Sequence, residues 1–151
     1  MENKDLKVLV FGLDGEYYAT DIIEVERILE YTQPTEMPDV PEYVDGVINY
    51  ENHILPIINL KKKFKFSTFK EDAEKKEKVV VIKKDNKKFG IVVENVYEVA
   101  DIQGKYFEEA PEITTKISKK YMKGLINLED KIIILLNVSQ ILTEEDEEKI
   151  F

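Results

Sequence analysis

Cysteine is absent from the 151 residues, which excludes disulfides, thiolate metal sites and cysteine nucleophiles. Histidine occurs once, at His53, and a nucleophilic triad built on it needs coordinated partners that no neighbouring motif supplies. No apolar run approaches the roughly eighteen residues of a membrane-spanning helix. The opening Met1-Glu2-Asn3-Lys4-Asp5 lacks the apolar core of a signal peptide, so the cytoplasm is the expected compartment. There is no glycine-rich phosphate loop and no acid or histidine spacing of a metal site; neither cofactor nor metal is expected. Basic residues are outnumbered 22 to 31 by acidic ones, and a net charge of −9 repels phosphate backbones. Nucleic acid is not an expected partner.

What the chain has is a repeat. Gly46 to Leu60 reads Gly-Val-Ile-Asn-Tyr-Glu-Asn-His-Ile-Leu-Pro-Ile-Ile-Asn-Leu, and Gly124 to Val138 reads Gly-Leu-Ile-Asn-Leu-Glu-Asp-Lys-Ile-Ile-Ile-Leu-Leu-Asn-Val. Glycine, isoleucine, asparagine and glutamate coincide at Gly46/Gly124, Ile48/Ile126, Asn49/Asn127 and Glu51/Glu129, and again at Ile54/Ile132 and Asn59/Asn137. Lys78 to Ala100 likewise replays Lys7 to Leu29 at an offset of 71 (78 minus 7), with Asp85-Asn86 falling on Asp14-Gly15 and Val96 on Val25. The hairpin copies differ by 78 (124 minus 46), so the second half carries seven extra residues (78 minus 71) in its connector, Asp101 to Lys123. A duplicated unit explains the pattern.

Within each unit the signals are those of short strands and tight turns. Asp14-Gly15 between Lys7–Leu13 and Tyr17–Thr20 predicts a two-residue hairpin, since both turn residues tolerate positive φ. Ile22, Val25, Ile28 and Leu29 recur at helical spacing behind a capping Asp21, which predicts one or two helical turns leading into a strand. Pro34, Pro38 and Pro41 make Gln33 to Tyr43 an ordered but irregular connection. Glu51-Asn52 sits at the tip of the repeated hairpin, and Pro56, unable to donate to a ladder, predicts an edge or a bulge in its second strand. The charged stretch from Lys61 to Lys78 reads as a solvated junction with Phe64 and Phe66 packed inward, and Thr143 ahead of acidic residues caps a short terminal helix.

The expected fold is all-β: two tandem five-stranded SH3-like barrels, one over 1–66 and one over 78–151, with 67–77 as the junction and the terminal tail packing back on the first barrel. Barrels side by side bury a mutual face and leave a groove, a common place for a ligand. Glu51 and Glu129 occupy equivalent positions, but at solvent-facing tips nothing raises a carboxyl pKa for shared-proton chemistry. Enzyme chemistry is not expected.

Pro41 to Leu60 resembles the signature of the CheW family of bacterial chemotaxis coupling proteins, which is close to P-x-x-[VI]-x-G-[VI]-x-N-[LI]-R-G-x-[IV]-[IVL]-P-[IV]-[IV]-[DN]-L. The resemblance continues through Phe11 to Ala19, Val25 to Leu29, Phe89 to Val93, Ala110-Pro111 and the hairpin from Gly124. It implies SH3-like barrels around a common core. It also implies a non-catalytic scaffold, free of cofactors, that links methyl-accepting chemoreceptors to the histidine kinase CheA in membrane-associated arrays. The receptor surface so implied comprises Val25, Arg27, Gly46, Asn49, Glu51 and Asn52, with Val79, Val96 and Val99 from the second half. Gly90 and Gly124 fall near sensitive positions of the family. For Gly46 and Gly124, a strand start that needs close backbone approach explains glycine equally well. The expected kinase edge carries Pro38, Val40 and Tyr43. Glu51-Asn52 stands where the family has Arg-Gly, a charge reversal that predicts a basic or neutral receptor residue opposite Glu51. The competing reading is a small-barrel module for another ligand, such as a domain akin to the kinase's own CheW-like regulatory domain.

Overall fold

The structure, a computed structural model, describes residues 4–66, 76–109 and 117–151. The Ala110-Pro111 motif and most of the charged junction lie outside them. The first half supplies β1 (Leu6–Leu13), β2 (Glu16–Asp21), β3 (Val25–Glu30), β4 (Val44–Tyr50), β5 (His53–Ile58) and the helical turn α1 (Leu60–Lys63). The second supplies β6 (Lys78–Lys84), β7 (Lys87–Val93), β8 (Asn95–Ile102), the two-residue β9 (Phe107–Glu108), β10 (Met122–Leu128), β11 (Lys131–Leu136) and α2 (Glu144–Ile150).

The described residues form two sheets, with strand orders β8-β1-β2-β11-β10-β9 and β3-β6-β7-β5-β4. Each is a small SH3-like barrel sheet, and each takes strands from both sides of the 66/78 junction. The sequence repeat and the sheets are therefore divided differently: the first hairpin of each half joins the later strands of the other half. The linkers dictate this. Only the 3-10 turn Ile22–Glu24, capped by Asp21, separates β2 from β3, and only Glu94 separates β7 from β8. Chains so short step from one sheet to the other without reversing.

The duplication survives in detail. Val25 opposes Ile82 and Glu30 opposes Lys78 in the β3–β6 ladder; Val96 opposes Phe11 and Asp101 opposes Lys7 in β8–β1. The equivalent pairs near the ends of both ladders are ion pairs, Lys78–Glu30 and Lys7–Asp101. The parallel pair Ile57–Gly90 likewise matches Leu135–Ala19.

Among the described residues, three apolar clusters hold the fold together. Val8, Val10, Ala19, Ile126, Ile133 and Leu135 fill one barrel, while Tyr50, Leu55, Ile57, Val79 and Val81 fill the other. The largest lies between them and includes Leu9, Phe11, Leu13, Tyr18, Val80, Ile82, Phe89 and Ile91. Alternation along β1 and β6 thus sends successive side chains into different cores. This is why Val79-Val80-Val81-Ile82 is apolar without a break: both faces of the strand are buried.

Pro56 departs from its expected setting. β5 lies inside the sheet between β4 and β7, with Pro56 opposite Val47. The missing donor is accommodated because the parallel register with β7 begins one residue later, at Ile57.

Candidate interaction surfaces

The β4–β5 turn is closed by Glu51 (φ 49°) and Asn52 (φ 65°), a left-handed pair of the kind that matches strand twist in two-residue hairpins. It lifts Glu51 beside β3, where the Arg27 guanidinium pairs with it at 3.0 Å. Glu51 thus has a basic partner within its own chain. Tyr50, one position before the tip, donates its hydroxyl to Glu26 Oε2 at 2.7 Å, and Lys88 Nζ pairs with Glu26 Oε1 at 2.9 Å. Arg27 lies 5.8 Å and Lys88 5.9 Å from the centre of the Tyr50 ring. Side chains, not a ladder, therefore join the edge strands β3 and β4. The bonds from Tyr50 and Lys88 hold the Glu26 carboxyl below its ordinary range. Burial, and then the bond to Glu26, push the Tyr50 phenol up to about 12.

Of the remaining receptor candidates, Asn49 and Asn52 are exposed beside this network. Val25 and Val96 occupy equivalent places on β3 and β8, half-buried against the central core. Val99 is 52% exposed on β8, beside Tyr97. The accessible candidates therefore fall into a polar group at the β4–β5 tip with Val25 and Arg27 on β3, and an apolar group on β8 in the other sheet. Val79 is fully buried and presents nothing to a partner. Gly46 is also buried: at φ 145°, a Cβ there would lie 2.2 Å from the Thr35 carbonyl oxygen. Close approach of backbone to backbone requires this glycine. Gly124 repeats the geometry at φ 156°, against the Glu108 carbonyl oxygen.

The expected kinase edge is split. Pro38 is exposed, but Val40 and Tyr43 pack partly against the central core, and the Tyr43 hydroxyl donates to Asp146 of α2. Asp146 also pairs with Lys63 at 3.0 Å, and Glu147 pairs with Lys84 and Lys87, each at 2.9 Å. Phe151 borders a hollow of about 310 Å³ together with Tyr50, Ile54, Leu55 and Lys87. Sequence reading found neither the Glu26–Tyr50–Lys88 network nor the seat of α2, since both depend on pairings between distant segments. Exposed Ile54 and Ile132 could have been found: each stands at the same place in its hairpin copy, opposite Asn49 and Asn127.

A family profile described as the CheW-like domain matches residues 7–146. The chain belongs to the CheW family. The chemotaxis protein CheW of Klebsiella aerogenes is 31% identical over 138 residues, 91% of this chain and 82% of that protein. That of Thermotoga maritima is 29% identical over 141 residues, covering 93% and 90%. A crystal structure of the scaffolding protein CheW from Thermoanaerobacter tengcongensis superposes with a TM-score of 0.83 at 27% identity, covering 95% of this chain and 92% of that one. Both barrels and both groups of exposed residues fall inside the matched span. As a CheW protein the chain is a chemotaxis adaptor, and no helix among the described residues is long and apolar enough to cross a membrane.

Proposed function

We propose that this chain holds chemoreceptors and the histidine kinase CheA in one complex at membrane-associated arrays, and catalyses no reaction of its own. The observation that carries the reading is the continuous CheW match over 7–146, which keeps both barrels in one adaptor. Coupling demands it: a scaffold alters a kinase only by binding receptor and kinase together and favouring one relative arrangement. The charged group around Arg27, Glu51 and Tyr50 supports receptor contact, with the exposed apolar side of β8 as a second face. Exposure of Met37 and Pro38 supports the Pro38 edge as the kinase contact.

A pull-down with the full chain tests the reading. It should retain a receptor cytoplasmic fragment and the kinase regulatory domain together, unaffected by nuclease. Retention of neither protein sinks the proposal, and retention of one alone reduces the chain to a simple binding module. In cells, a fluorescent fusion should gather at receptor clusters and disperse when receptors are deleted.

A further inference from the structure

The terminal helix α2 sits on a surface opposite to it in charge. Its seven residues include Glu144, Glu145, Asp146, Glu147 and Glu148, and none of them is buried. Beneath lie Lys63, Lys84 and Lys87 with the ring of Tyr43, over whose centre the Lys63 ammonium stands at 4.2 Å. Asp146 engages Tyr43 and Lys63; Glu147 engages Lys84 and Lys87. Lys84 Nζ also donates to the Leu142 carbonyl at 2.9 Å, just ahead of the helix. In a chain of net charge −9 this is a concentrated cationic strip, and two adjacent carboxylates of the same chain fill it.

We propose that Tyr43, Lys63, Lys84 and Lys87 form a docking surface for an acidic helical segment of a partner protein, and that α2 occupies it as an internal competitor. The argument rests on what holds α2 down. A seven-residue helix has little stability alone, since isolated helices below about twelve residues are marginal in water. Its polar contacts are charge pairs, Lys63–Asp146 and Lys84–Glu147 mostly covered and Lys87 more exposed, with Ile150 and Phe151 as its apolar anchors at the chain terminus. Such elements open locally at a small fraction of the global cost. On release, the strip keeps its cations and its aromatic ring, and the Phe151 wall of the hollow beside Tyr50 and Ile54 leaves with the helix. An acidic helix bearing neighbouring Asp and Glu side chains would satisfy the same donors. Such a partner would gain the Tyr43 edge and the β4–β5 tip in one event, a possibility independent of which proteins the adaptor couples.

The probe is a labelled synthetic peptide with the sequence of residues 143–151, titrated into the full chain. The wild-type protein should bind it weakly. The double variant Asp146→Asn, Glu147→Gln, which loosens the internal competitor, should bind about tenfold more tightly, and further replacement of Lys84 and Lys87 by alanine should abolish the gain. A folded double variant that binds no better than wild type overturns the proposal. A second measurement needs no variant: raising salt from about 50 mM to about 500 mM should speed amide exchange of 144–150 about tenfold and leave β6 and β7 unchanged. Protection of 144–150 that ignores salt means Ile150 and Phe151 hold the helix, and equally defeats the idea.

Discussion

At the scale of single residues, glycines separate what packing forbids from what it tolerates. A Cβ at Gly46 meets backbone, the Thr35 carbonyl oxygen at 2.2 Å, in a conformation that side chains rarely adopt. A Cβ at Gly12 meets the far end of the Tyr97 side chain, 2.9 Å from its hydroxyl oxygen, and Tyr97 is half exposed with the Tyr17 ring tilted against it. Gly46→Ala should therefore cost about 3 kcal/mol in urea unfolding, and Gly12→Ala less than about 1 kcal/mol. The Arg27–Glu51 pair, about half exposed on both sides, is a contact of a different kind. Glu51→Arg should lower stability by under about 1 kcal/mol, the usual range for such pairs, yet weaken binding of a receptor fragment about tenfold. Exchanging both charges, Arg27→Glu with Glu51→Arg, should restore stability and leave binding weak. Equal binding by all three proteins would remove this pair from the receptor surface. Glu51 was legible in the sequence as the hairpin tip because turn chemistry is local. Its partner was not, because Arg27 lies on another strand and only closure of the sheet brings them together.

At the scale of elements, α2 has a pH dependence with a fixed sign. Burial raises the Asp146 carboxyl, but bonds from Tyr43, Thr143 and Lys63 outweigh it and hold the group well below its ordinary 3.8. Bonds from Lys84 and Lys87 hold Glu147 below 4.5. Depressed carboxyls stabilise the docked helix at pH values above their ordinary pKa, and that contribution is lost as acid protonates them. Amide protection of 144–150, corrected for intrinsic exchange, should stay level from about pH 7 to about pH 5 and fall below about pH 4, before the sheets unfold. A decline that begins near neutrality would assign the docking to other groups. The elements themselves were largely legible. Asp14-Gly15 and Glu51-Asn52 both turn through positive φ, and the Asp21 side chain accepts from the Ile23 amide to cap a single helical turn. Pro56 misled because a missing donor is excluded from a sheet interior only where the neighbouring ladder needs it, and here that ladder starts at Ile57.

At the scale of the whole molecule, the duplication was legible and the partition of strands was not. Local patterns fix hairpins, whereas the parallel pairs β2–β11 and β5–β7 join segments that share no local signal. Because each sheet needs both halves, peptides 1–66 and 76–151 should each lack a cooperative unfolding transition, and mixing them should recover sheet circular dichroism and a single transition. Independent folding of either peptide would contradict the shared cores. The exchange of strands also gives the molecule an internal pseudo-symmetry. The two halves exchange strands in equivalent registers, so each end of the molecule has a counterpart at the other. The equivalent ends differ in charge: Arg27 and Glu51 carry opposite signs on one, and the corresponding Glu98 and Glu129 carry two negatives on the other. That asymmetry leaves the adaptor with two unlike ends built on one repeated frame.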